Sequence, residues 1–496
     1  MKKTLSLILV LVLVLAAVPM YAGAADDGDI IEIEFFTGRS LAAASASFAE
    51  TDRDVDNFVE QYLREHLGVD IKYTYTDDLA ANLPKRLMSG DIPQVMFIPN
   101  RSFLREFAGE GYLLNLDEYQ EQLADAFAFT EGNAAAGKID GTTYAIAGRP
   151  YGYRQAYWYN VNAFEAAGVT ELPTTLDEYI ETVRKVLAAT DASGNTLAFT
   201  GAGWDALCRF FGCYGVTRPN VLTLNENGDV VDTMYKPEFY DALVLIHSLW
   251  DEGLIDHELF SINNSQAIDM AKSGKTLTLY TQWPGIKKVG DWQNFLDIDP
   301  NAQWEIVGEL TGPSGLNYVG NYASAGFTSL VSLDADAEGE YLDAALKVLN
   351  FFATDEGLAL TTYGIEGEHW DYNEEGVPTV REEAIPQIDF SWAYQLCGRE
   401  ELSYCRVKFG DYAWKYVVQS DEQPYLTEVT SLIDIPEWYN STDAKTFIAE
   451  ECAKFVSGEK ELTEASWAEF LATLDSTYQY SDFVSYANDF WHTMAG

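Results

Sequence analysis

From Ile30 onward the chain alternates short apolar strands with capped amphipathic helices, and this alternation restricts its fold more than any other feature. IIEIEFF (30–36) and VDIKYTYT (69–76) read as strands. DNFVEQYLREHLG (56–68) and LAANLPKRLMSG (79–90, interrupted by Pro84) read as helices. Strands joined through helices of this length call for right-handed crossovers and a mostly parallel sheet covered on both faces. A second alternating set runs from Tyr153 to about Glu309. The small-residue-rich stretch VGNYASAGFTSLVS (319–332) has the character of a strand crossing back to the first set, with a helix expected at 341–354. From about residue 381 the chain is helical and aromatic and is expected to complete the second unit.

Residues 156–179, AYWYNVNAFEAAGVTELPTTLDEY, carry the richest local signals. An aromatic strand end, Tyr157-Trp158-Tyr159, runs into Asn160, an N-cap for a short helix with Ala163, Phe164 and Ala167 on its apolar side. Gly168 supplies the left-handed residue that ends it. Pro173 leads to Thr175, which caps the next helix with Glu178 completing a capping box.

This strand–Asn–helix–Gly–Pro–Thr–helix order closely resembles the segment that opens the second lobe of family 1 extracellular solute-binding proteins. Those are the capture subunits of ABC importers, and most handle carbohydrates. The likeness continues in LMSGDIPQVMFIPN (87–100), GEGYLLNLDEY (109–119), KIDGTTYAI (138–146), LIHSLWDEGLIDHELFS (245–261) and KSGKTLTLYTQWPG (272–285). The most particular match is DEGLALTTYGIEGEHWDYNEEGVPTV (355–380), where a Gly-Ile-Glu-Gly turn precedes an aromatic and a short hairpin. It is similar to Gram-positive oligosaccharide-binding lipoproteins. The resemblance implies an α/β, two-lobe periplasmic-binding-protein type II fold, with mostly parallel sheets, a hinge and an inter-lobe cleft. Lobe 1 is expected over 25–149 with about 318–380, and lobe 2 over 150–317 with about 381–496. It also implies a monomer that catalyses nothing, takes a saccharide and delivers it to the transmembrane subunits of an ABC permease.

Lys2-Lys3, the apolar run Leu5 to Val18 and the small-residue site Ala22-Gly23-Ala24 read as a cleaved export leader over residues 1–24. The Gram-positive relatives carry a lipobox Cys at that site. Here no Cys precedes Cys208, so a periplasmic or extracellular protein held only by its permease is expected. The roughly 470 residues that remain exceed a single core and suit two lobes. A formal net charge of −47 repels nucleic acid and anionic membranes at long range and favours a neutral or cationic ligand. Five Cys allow small loops, 208 to 213 and 397 to 405, or reduced thiols. With five His and no Cys/His cluster, a structural metal is not indicated.

In open parallel sheets, ligands collect beyond the carboxyl ends of the strands. That rule selects Thr37, Gly38 and Arg39 after the first strand, Asn100 and Arg101 after 93–99, Trp204 in the second lobe, and Trp283 after LTLY (277–280). Sugars need aromatic plates for their C–H faces and fixed polar groups for their hydroxyls. Twelve Trp, 30 Tyr and 26 Phe supply enough rings for both a cleft and a core. The family resemblance favours Trp283 as a stacking plate, with Tyr214, Trp370 and Trp392 as further rings. Glu366 sits between two glycines that can aim its carboxylate, or it can cap a local amide. Arg39 and Arg101 can each offer a planar fork of donors to ring hydroxyls, or pair with one of the 78 acidic side chains. Some relatives hold calcium in a loop like Asp191-Ala192-Ser193-Gly194-Asn195. Here residues 197–203 add no acid, so Asp191, Ser193 and Asn195 read as a polar turn, and no cofactor is expected. No Gly-x-Ser-x-Gly, His-Glu-x-x-His or phosphate loop is present. The alternatives are a peptide or polyamine receptor of the same fold, a receptor with no transporter, and an exported glycosidase.

Overall fold

The computed structural model describes residues 30–38, 57–149, 155–190, 196–323, 329–374, 376–399 and 401–495. The leader, Arg39 and the Asp191–Asn195 turn lie outside them. The first lobe begins with β1 (Ile31–Gly38), α1 (Phe58–Leu67), β2 (Val69–Thr76), α2 (Leu79–Ser89), β3 (Val95–Ile98) and α3 (Arg101–Gly109). It continues through α4 (Ala124–Thr130), β4 (Lys138–Ile139), β5 (Thr142–Thr143) and β6 (Ile146–Ala147). The caps are local and follow the sequence: Asn57 accepts from Val59 N and Glu60 N, and Gly68 closes α1 at φ +69°. Helix α2 runs through Pro84 without breaking.

The second lobe opens with β7 (Gln155–Asn160), α5 (Val161–Ala166), α6 (Leu176–Thr190), β8 (Leu197–Thr200), α7 (Cys208–Cys213), β9 (Leu222–Leu224) and β10 (Val230–Asp232). Then come α8 (Pro237–Asp251), α9 (Asn264–Lys272), β11 (Thr276–Gln282), α10 (Pro284–Lys287), α11 (Val289–Ile298), β12 (Trp304–Ile306) and β13 (Gly320–Ala323). Asn160 caps α5, accepting from Ala163 N. Thr175 and Glu178 bond each other at the start of α6, as their spacing predicts.

The chain returns to the first lobe with β14 (Leu330–Leu333), α12 (Gly339–Phe351), α13 (Asp355–Tyr363), β15 (Trp370–Tyr372), β16 (Pro378–Val380) and α14 (Ile385–Ile388). It ends with α15 (Glu401–Asp421), β17 (Tyr425–Glu428), α16 (Ser441–Ser457), α17 (Glu464–Tyr478) and α18 (Tyr480–Ala495).

The first-lobe sheet has the order β2-β1-β3-β14-β6, and the second lobe holds β12-β7-β11-β8 and β10-β9-β17-β13. The sheets are more mixed than the sequence implies. β1 is parallel to β2 and β3, but β14 is antiparallel to both β3 and β6. β11 is parallel to β8 and antiparallel to β7. The antiparallel members β14 and β7 are the strands that enter each lobe from the other.

Long-range pairing bears on the boundaries expected at about 318 and about 381. β13 pairs in parallel with β17, which keeps residues 320–323 in the β10-β9-β17-β13 sheet. Phe390, Ala393, Tyr394, Leu396 and Cys397 pack with Ile33, Phe35 and Val331 of the first-lobe core. An apolar pattern alone cannot assign such segments to one lobe or the other. The C-terminal segments reach back as well: Leu432, Trp491 and Met494 pack with Phe107 and Ala147 of the first lobe.

All five cysteines are buried thiols and none is bridged. Burial raises the Cys397 thiol to about 12.

Candidate functional site

Strand direction fixes which edges of the lobes face each other. Gln155 begins β7 directly after the chain crosses from the first lobe, and it pairs with Gln282 at the end of β11. The carboxyl ends of β11 and of its parallel neighbour β8 therefore lie on the lobe-facing edge. β13 ends at Ala323 just before the return crossing, with Glu428 of β17 beside it. In the first lobe, Leu330 at the start of β14 pairs with Ile98 at the end of β3, which sets the carboxyl ends of β3 and β1 on the side of the crossings. Both lobes thus offer strand carboxyl ends to one another, where parallel sheets hold their ligands.

Four of the expected site residues keep some distance from the deep core or stand at or just after a strand end. Thr37, one residue before the end of β1, has its hydroxyl fully buried and without a hydrogen-bond partner among the described residues. Asn100 is exposed but commits its side-chain oxygen to Ser102 N and Phe103 N as the α3 cap. Trp204 follows β8, half-buried, with its ring 4.8 Å from Phe260 and 6.4 Å from Phe211. Tyr214 is half-buried at the end of α7, and burial raises its hydroxyl.

Other expected residues are used by the fold. Trp283 has no exposed surface and packs with Trp158, Leu279, Ile286 and Phe295, because the short helix α10 turns it under the sheet. Arg101 is 7% exposed and gives its guanidinium to Asp434 at 2.9 Å and to the carbonyls of Ala135 and Ala136 at 3.0 Å. Burial lowers its pKa and Asp434 opposes that. Trp370 is buried and donates from Nε1 to Gly364 O at 3.0 Å. Gly364 sits at φ +82°, where an added Cβ would meet the His369 ring at 2.7 Å. His369 Nδ1 in turn accepts from Ile365 N, and Arg381 donates to Gly367 O and Glu368 O. The Gly-Ile-Glu-Gly turn is thus a braced structural unit that leaves Glu366 exposed. The side chain of Trp392 lies outside the described residues.

With the geometry in place, comparison with known proteins decides the family. The bacterial extracellular solute-binding protein family matches residues 45–359. The chain belongs to that family. Lipoprotein LipO of Bacillus subtilis (strain 168) is 24% identical over 329 residues, 62% of this chain and 63% of LipO. The match therefore spans less than two thirds of that relative. Among solved structures, the alginate-binding protein AlgQ2 without calcium ion superposes with TM-score 0.69 at 14% identity, covering 95% of this chain and 99% of AlgQ2. The S. pneumoniae ABC-transporter substrate binding protein FusA in complex with kestose gives 0.65 at 16% identity, covering 93% and 99%. These likenesses establish the two-lobe fold of solute-binding proteins.

Within this family member, sequence reasoning missed the polar partners at the second-lobe edge. Asp205 stands next to Trp204, with its side chain 45% exposed, and Arg218 Nε lies 2.7 Å from Asp205 Oδ1. Burial pulls the Arg218 guanidinium down, but Asp205, Cys208 and Glu428 together hold it above its ordinary pKa. Asp205 was legible as the acid beside a ring after a strand. Arg218 and Glu428 had no local signal. After β11, Lys287 is 3% exposed, its ammonium 3.7 Å from the Trp292 ring centre and 4.7 Å from that of Tyr416. Burial drops its pKa to about 8, which Glu305 partly opposes. Among the described residues, no group of three or more His, Cys, Asp or Glu is placed to hold a metal ion, and no helix is long and apolar enough to cross a membrane.

Proposed function

We propose that this protein is the capture subunit of an ABC importer. It is exported by its N-terminal leader, takes an oligosaccharide between its two lobes, and presents the closed form to the transmembrane permease. The observation that carries this reading is the opposition of strand carboxyl ends, with the Trp204 plate and the amides of Gln155 and Gln282 on one edge and the exposed Asn100 on the other. Rings and fixed amides or hydroxyls are what a sugar's faces and edges require. AlgQ2, an alginate-binding protein, and FusA, solved in complex with kestose, support the same ligand class. Contacts made by both lobes at once bias the hinge toward closure, so ligand and closure are thermodynamically linked.

A thermal-shift screen of the mature chain against mono- and oligosaccharides tests this. A true ligand at about 100 times its Kd adds ~2.7 kcal/mol to stability. Small-angle scattering with that ligand should show a smaller radius of gyration. A shift with peptides or polyamines but with no saccharide would reassign the ligand class, and an unchanged radius at saturation would refute closure.

A further inference from the structure

Three elements converge at the second-lobe edge: the turn after β8, the loop after α7 and the end of β17. They bring together Asp205, Arg218 and Glu428, which sum to one formal negative charge. Trp204, the residue before Asp205, presents a half-buried ring backed by Phe260. An arginine near an aromatic plate is ordinarily the group that recognises an acidic sugar, because its fork matches a carboxylate. Here Nε of that guanidinium lies 2.7 Å from Asp205 Oδ1, Nη1 donates to Pro219 O at 3.3 Å, and the group lies within the field of Glu428.

We propose that Asp205, Arg218 and Glu428 form the charge-selective edge of a sugar subsite on Trp204, one that admits neutral or aminated rings and excludes uronates. The proposal rests on the saccharide reading above. Asp205, half-exposed and oriented by Arg218, accepts hydrogen bonds from adjacent ring hydroxyls stacked on Trp204. A uronate in the same place sets a carboxylate against Asp205 and Glu428, with Arg218 already paired to Asp205, and rejection by like charge is as effective a route to specificity as added attraction. Arg218 is a positioning residue in this arrangement.

The test is binding of the full mature chain to an array of neutral, aminated and uronate-containing oligosaccharides, followed by calorimetry with the best neutral glycan and with trimannuronate. The wild type should prefer the neutral or aminated glycan by at least about tenfold, or ~1.4 kcal/mol. Asp205→Asn combined with Glu428→Gln, which changes the cluster from −1 to +1, should shrink or invert that ratio by about tenfold or more. Glu428→Asp should keep it. A wild type whose tightest glycan carries a uronate, or a double variant with the wild-type ratio, overturns the subsite while leaving the saccharide reading intact. Binding to no glycan at all overturns both.

Discussion

Replacing Asp434 with Ala tests how the C-terminal part of the chain is fastened to the first lobe. Asp434 follows β17 of the second lobe and serves two arginines of α3 in the first. Oδ1 accepts from Arg101 Nε at 2.9 Å, and Oδ2 accepts from Arg105 Nε at 2.9 Å. Arg101, at 7% side-chain exposure, keeps only the Ala135 and Ala136 carbonyls and the Phe490 ring after the substitution. A buried cation left without its counter-charge typically costs ~3–5 kcal/mol. Arg105 is 37% exposed and retains Asp140 at 3.2 Å, so its share is solvent-screened and below ~1 kcal/mol. Urea unfolding followed by tryptophan fluorescence should therefore show a loss of ~3–5 kcal/mol for Asp434→Ala and under ~1 kcal/mol for Arg105→Ala. The combination Arg101→Met with Asp434→Leu should lose less than Asp434→Ala alone, since it leaves no stranded charge. A loss below ~1 kcal/mol for Asp434→Ala, or a double variant as unstable as the single one, would refute the reasoning.

Trp283→Ala should cost ~3–5 kcal/mol by opening a cavity among Trp158, Ile286 and Phe295, and its melting temperature should collapse before ligand affinity can be compared. Trp204→Ala should lower saccharide affinity about 30-fold, or ~2 kcal/mol, and, because its ring is only half-buried against Phe260 and Phe211, should cost clearly less stability than Trp283→Ala. Burial raises Glu60 to about 7 despite bonds from Tyr394 and Asn57, and Asp70 adds to the rise. A raised carboxyl makes the folded state bind more protons, so this group's contribution declines as pH rises from about 4.5 to about 7; Glu60→Gln should flatten that slope, and an unchanged slope in paired urea titrations refutes it. Because the net charge is −47, self-repulsion should make melting temperature rise with NaCl from about 0.05 to 1 M, and a flat response would show the acidic surface to be energetically idle.

What the sequence revealed was set by how far each interaction reaches along the chain. Asn57, Asn160 and the Thr175–Glu178 pair cap their helices through partners no more than three residues away, and their spacing announces them. Strand 276–282 and the alternation of the first lobe are legible for the same reason. Lobe membership is not: β13 is held by β17 about a hundred residues on, and Tyr394 by Glu60 at a separation of 334. The candidate site divides along the same line. The strand-end rule selected Trp204 and Trp283 alike, and only the fold separates them, leaving Trp204 half-buried and Trp283 wholly in the core. Arg101 looked available because its partner stands 333 residues away. Arg86 and Arg101 are each paired by a carboxylate far along the chain, which is why the fold, more than the residue type, determines whether an arginine is free to recognise a ligand. Arg218 obeys the same logic at the lobe edge, where its engagement by Asp205 turns a potential anion receptor into a barrier against anions.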